Sequence, residues 1–162
     1  MKSKAPTPAV EPFGFKSEGF EHEVYAQVAM RAELEEIRLL ESSYLINPDI
    51  FFSPDFDPSN LANRLGSETS SIMYDAERGI VAGGFIWHAE MKLRRKKALA
   101  LRGNYSAVYS NLSGCDERYV ESYFVKVARF ATFPYFRTLF STQTSASGLA
   151  LPPLPSLKER VD

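Results

Sequence analysis

His88 and Glu90 stand two residues apart in "FIWHAEMKL", a spacing that places both side chains on one face of a β-strand. An imidazole beside a carboxylate is a minimal pair for general acid–base chemistry. The one other histidine is His22, and Cys115 is the only cysteine. These residues lack the ligand spacings of a zinc site, and a lone cysteine cannot form an internal disulfide. No phosphate-binding glycine loop or nucleophile elbow is present. "GIVAGG" lacks the following helix that a dinucleotide site requires. The sequence therefore offers no catalytic, cofactor-binding or metal site with a recognisable pattern, and the chain reads as a non-enzyme. A small helix-on-sheet enzyme or ligand-binding domain, using His88 and Glu90 in a pocket under the last helix, is the alternative from another class.

Charge and apolar side chains offer a second kind of chemistry, recognition. "KLRRKK" (92–97) is the strongest charge block and falls at a predicted hairpin tip. Such a tip suits an acidic partner or RNA, but a net charge of −1 over 162 residues provides no field for nucleic acid or an anionic membrane. The apolar features stand out more. "NPDIFFSPDFDPSN" (47–60) breaks regular structure with prolines and aspartates yet carries Ile50, Phe51, Phe52 and Phe56. "RFATFPYFRTLF" (129–140) sets a proline among aromatics, and "GLALPPLPSL" (148–157) must be extended. Together they suggest a groove for extended apolar peptide, lined by the 50–56 loop and the 149–157 segment.

The elements that would position these residues follow from periodicity. Residues 1–17 read as a flexible N-terminal tail and 158–162 as a short C-terminal one, leaving 18–157 as a single domain. Phe20, Val24, Tyr25, Val28 and Ala32 recur at helical spacing. "AELEEIRLLESSYLI" favours helix over 31–41 by propensity. As a strand it would put Ile37, Leu39 and Leu45 on one face and Leu34, Leu40, Tyr44 and Ile46 on the other. Three strands come next: "SSIMYDA", "IVAGGFIWHAEMKL" and "ALALRGNYSAVYSNL". In the second, Val81, Phe85, Trp87, Met91 and Leu93 share a side; in the third, Leu99, Leu101, Tyr105, Ala107 and Tyr109 do. Gly83–Gly84 suggests a bulge, a bend or a close approach. Asp116 caps a final helix that Pro134 either kinks or divides near Phe133.

Hydrophobic residues at 44% and charged residues at 24% fit a globular protein. The lone cysteine suits a reducing compartment, and no apolar run approaches the roughly 18–20 residues of a membrane span. The expectation is a cytoplasmic protein without membrane insertion.

The stretch "VARFATFPYFRTLFSTQTSASGLALPPLPSL" resembles the C-terminal region of the SecB family of export chaperones. Phe133, Pro134 and Tyr135 supply the family's aromatic–proline–tyrosine step, and Leu149, Leu151, Pro152, Pro153 and Leu154 match its extended leucine–proline segment. "AELEEIRLLES" resembles the family's first strand, so the resemblance spans about residues 31–157 and replaces the helix at 34–41 by a strand. It implies an α+β fold, a four-stranded antiparallel sheet backed by a long kinked C-terminal helix with a short N-terminal helix. It also implies an ATP-independent holdase that assembles as a dimer of dimers and binds unfolded or precursor polypeptides. Ile50, Phe51, Phe52 and Phe56 would line the crossover-loop side of the peptide groove, with Leu149–Leu154 as the other wall. Tyr123, Phe130 and Phe136 form an apolar stripe expected at the oligomer interface. SecA is the delivery partner expected for an export role. The helix at 18–32 is more like that of SecB-like chaperones paired with toxin–antitoxin systems, which makes an antitoxin the alternative partner.

Overall fold

In the computed structural model, which describes residues 19–157, a long helix lies across one face of a four-stranded antiparallel sheet. The tails expected at 1–17 and 158–162 fall outside the described residues. The order along the chain is α1 (His22–Arg31), β1 (Glu33–Ile46), α2 (Pro48–Phe51), β2 (Leu61–Asp75), β3 (Ile80–Leu93), β4 (Lys96–Ser110) and α3 (Glu117–Ala146). In space the strands run β1-β4-β3-β2. The connection between β1 and β2 must therefore pass from one edge of the sheet to the other, about 14 Å at the usual strand spacing. It does so beneath the β3–β4 hairpin tip, and this crossing positions the site described below.

The two central strands bury alternate residues, as the sequence pattern requires. Val81, Phe85, Trp87, Ala89 and Met91 of β3 face the helix, beside Leu99, Leu101, Tyr105, Ala107 and Tyr109 of β4. Their register pairs Val81 with Tyr109 and Phe85 with Tyr105. Gly83 marks a close approach: a Cβ there would lie 2.6 Å from the Phe124 ring of α3 and 2.5 Å from the Ser71 carbonyl oxygen. Ser71 lies in a register irregularity of β2, between Thr69 and Ile72.

The edge strands depart from simple alternation. β1 is a strand throughout, against its helical propensity, because pairing with β4 completes its backbone hydrogen bonds. Irregularities between Leu34 and Glu36 and between Leu39 and Glu41 reverse the face of the residues that follow each. The helix-facing set, paired with buried β4 residues, is consequently Leu34, Ile37, Leu39, Tyr44 and Ile46; Leu45 faces the other side. This corrects the uninterrupted alternation expected from sequence. β2 also begins nine residues before "SSIMYDA", at Leu61. Its first half places Asn63, Ser67 and Thr69 among the helix-facing positions, so no apolar alternation announces it.

α3 runs through Pro134 as one helix rather than two. Its Asp116 cap accepts a hydrogen bond from the Arg118 N–H at 2.9 Å, and Glu117 lies favourably in the first turn. The buried residues follow an i, i+4 row: Val120, Phe124, Ala128, Thr132, Phe136, Phe140 and Thr144. Such a row drifts about 40° per step, because four residues exceed one turn, and it wraps the twisted sheet. Its centre is Trp87, whose ring lies 4.9 Å from Phe133 and 6.0 Å from Phe136. The indole N–H donates to Thr132 Oγ1 at 2.9 Å, satisfying a polar atom that burial would otherwise penalise. α1 packs on the start of α3 through buried Val28, and Phe20, just before the helix, lies 4.9 Å from Tyr119.

Candidate peptide-binding surface

The crossover begins with Asn47, whose side chain accepts from the Asp49 N–H at 3.1 Å, and Pro48 follows at the first helical position. This cap and proline build the one-turn helix α2 where the sequence predicts a loop. The turn directs Ile50 and Phe51 inward, where each keeps 7% exposure, and leaves Phe52 63% exposed. Phe56 is half-buried and meets Phe51 edge-on at 5.2 Å. A second cap closes the loop. The Asp57 carboxylate accepts from the Ser59 N–H at 2.9 Å. That backbone bond, with help from the Ser59 hydroxyl, holds the Asp57 pKa below its usual range.

Between this crossover and the hairpin tip lies a cleft of about 670 Å³, with Ile50, Phe56 and Leu93 as its apolar lining. Asp49 and Asp55 line it from the crossover, and Arg94, Arg95 and Lys96 from the hairpin. The tip is tight. Arg94 and Arg95 connect β3 to β4, and Arg94 takes a φ of 56°, in the left-handed region.

The leucine–proline segment leaves α3 at Gly148, whose φ of 72° turns the chain. Ser147 Oγ donates to the Tyr44 hydroxyl at 2.9 Å, fixing this corner against β1. The segment then runs back along α3. Arg137 Nε donates to the Leu154 carbonyl at 2.7 Å, and the Leu154 side chain is buried. Leu149 and Leu151 are half-buried, whereas Pro152 and Pro153 are exposed. A second cleft, of about 370 Å³, opens where Ser156 and Leu157 pass Phe130, Phe133, Pro134, Arg137 and Thr138. Pro134 has no N–H to offer the Phe130 carbonyl, so the helix here leaves a backbone acceptor without its usual donor.

Neither cleft is lined by both segments named from sequence. The crossover loop borders the hairpin tip, and the last residues of the leucine–proline segment border the middle of α3. Of the aromatic stripe on α3, Tyr123 and Phe136 are buried in the chain's own core, whereas Phe130 is 37% exposed. The sequence stripe has spacings of seven and six residues, but the sheet selects the drifting i, i+4 row and Phe130 falls on its flank. Val125 and Tyr135 are exposed on the same helix, as are Leu34, Leu39 and Leu40 on the edge strand β1. Leu157 closes the segment expected from sequence, whereas Arg137 carries no sequence signal for its place in this cleft. The sequence marks the basic tip without the crossover beside it, which only strand order could reveal.

His88 and Glu90 lie on the face of the sheet opposite the α3-facing residues, away from a pocket under that helix. Glu90 pairs with Lys97 at 2.9 Å and Lys92 at 3.0 Å. Hydrogen bonds from Lys97 and then Lys92 bring its pKa down to about 2. That carboxylate is a weak base at neutral pH, poorly suited to proton transfer.

A four-stranded antiparallel sheet with this strand order, one long C-terminal helix and one short N-terminal helix is the fold of the SecB-like chaperones. Among solved structures, the chain is similar to the Mycobacterium tuberculosis SecB-like chaperone Rv1957, solved in complex with a ChAD peptide from the Rv1956 HigA1 antitoxin. The match has a TM-score of 0.70 at 19% identity and covers 86% of this chain and 99% of the other. At that identity the likeness establishes the fold. No family model and no curated protein matches the sequence.

Proposed function

We propose that the protein is an ATP-independent holdase that keeps unfolded polypeptides from aggregating by binding their apolar segments. The observation that carries this reading is the near full-length likeness to a chaperone solved with a bound peptide. The surface supports it chemically. Phe52 projects from the crossover, Ile50 and Phe56 line one cleft, and Leu149, Leu151, Pro152 and Pro153 flank the path toward the other. Apolar contact accepts many sequences, and prolines lower the ordering cost of the surface that receives them. Phe51 and Leu154, being buried, hold this surface in place.

The assembly proposed is a homo-oligomer, a tetramer built as a dimer of dimers. The exposed leucines of β1, with Val125, Phe130 and Tyr135 of α3, offer apolar area for a second copy to cover. Its setting is proposed to be the cytoplasm, and its clients to include exported precursors passed to SecA. A dedicated antitoxin client is the second reading, favoured by the ChAD peptide on the similar structure. Light scattering from a diluted, denatured client tests the main proposal. Suppressed aggregation without nucleotide supports it, and no suppression at several-fold excess rejects it.

A further inference from the structure

The cleft beneath the hairpin tip carries charge that the fold itself leaves unused. Arg94, Arg95 and Lys96 are exposed, and their side chains make no ion pair or hydrogen bond with another described residue. Lys92 and Lys97, by contrast, are both engaged by Glu90. The three cations border an apolar lining of Ile50, Phe56 and Leu93, and among the described residues the carboxylates in the lining are Asp49 and Asp55. Among the described residues, three cations against two carboxylates leave the cleft lining with a net charge of +1, the positive wall being on the hairpin.

We infer that this cleft selects client segments in which an apolar side chain stands two residues from a carboxylate. The inference rests on the holdase reading and adds a charge preference to it. In an extended peptide, residues i and i+2 point the same way about 7 Å apart. One side chain can enter the apolar lining while its neighbour on that side reaches the cations of the tip. A nucleic acid is a poorer occupant, since its repeated phosphates would meet Asp49 and Asp55 as well as the basic wall. Electrostatic complementarity of this exposed kind governs selectivity and encounter more than total affinity.

The test is fluorescence anisotropy with three labelled synthetic peptides sharing one leucine–phenylalanine core, flanked at two-residue spacing by Glu, Gln or Lys. At about 50 mM salt the Glu peptide should bind about fivefold more tightly than the Gln peptide, and the Lys peptide most weakly. At about 0.5 M salt the three should converge. The triple variant Arg94→Glu, Arg95→Glu, Lys96→Glu should reverse the order, and Asp49→Asn with Asp55→Asn should widen it. All these residues are exposed, and circular dichroism will verify that each variant is folded. Equal affinity for the Glu and Lys peptides, or an order unchanged in the triple variant, overturns the charge preference alone. Displacement of the Glu peptide by a single-stranded oligonucleotide would instead mark a polyanion site and also overturn it. Failure of all three peptides to bind rejects the holdase reading together with the inference.

Discussion

Replacing Phe52 and Phe51 separately by serine should split client binding from folding, although the two rings are adjacent in the chain. Phe52 is 63% exposed, so about 125 Å² of a ring offering roughly 200 Å² is free for a client to cover. At about 25 cal/mol per Å² this amounts to about 3 kcal/mol, from which about 1–1.5 kcal/mol of ordering cost is subtracted. Phe52→Ser should then weaken binding of an unfolded client by about 2 kcal/mol, roughly thirtyfold, with an unchanged melting curve. Phe51 is 7% exposed and packs edge-on against Phe56 at 5.2 Å. Removing its ring should cost about 3–5 kcal/mol of stability and lower the melting temperature by about 10 °C. Anisotropy with a labelled unfolded client reads the first effect, and thermal circular dichroism the second. Identical melting losses in both variants, or undiminished binding by Phe52→Ser, would refute this division of the crossover loop. A combined replacement of Phe51, Phe52 and Phe56 would confound the two effects, because Phe51 belongs to the core.

Three further outcomes follow from particular contacts. Glu90 has a folded pKa lowered from 4.5 to about 2, so its contribution to stability is present above the unfolded value and is lost as pH falls through that interval. Glu90→Gln should therefore flatten the dependence of melting temperature on pH between those values, and an unchanged slope would show its lysine pairs to be inconsequential. Arg94 occupies a left-handed position in a two-residue hairpin, so Arg94→Gly should stabilise the fold by about 1 kcal/mol in chemical denaturation; destabilisation would contradict that geometry. Thr132→Val leaves the buried Trp87 N–H without its acceptor and should cost about 1–3 kcal/mol in the same measurement.

The parts of the fold legible in sequence are those where one physical demand acts alone. β3 and β4 lie between neighbours with one face under α3, so apolar residues alternate along them and their shared faces can be read directly. α1 and the Asp116 cap obey local rules that need no partner. β1 was obscured twice. Its Glu, Leu and Arg content favours helix locally, and two irregularities then reverse its faces, so alternation parts Ile37 and Leu39 from Leu34, Tyr44 and Ile46, with which they share a face. β2 was truncated because its first half turns small polar residues toward the helix side. The helix α2 did carry a signal, Asn47 followed by Pro48, but the surrounding loop composition masked it. The aromatic crossover and the leucine–proline segment were recognisable as apolar surface. Their assignment to different clefts was not, because it depends on a strand order that places β1 and β2 at opposite edges.

The most direct test of the holdase reading compares one client protein in two states, without nucleotide. Isothermal titration of a reduced, alkylated and permanently unfolded client should show saturable binding, weakened by Phe52→Ser, whereas its native form should give no heat of binding. Equal binding of both forms, or binding of neither, would contradict the reading.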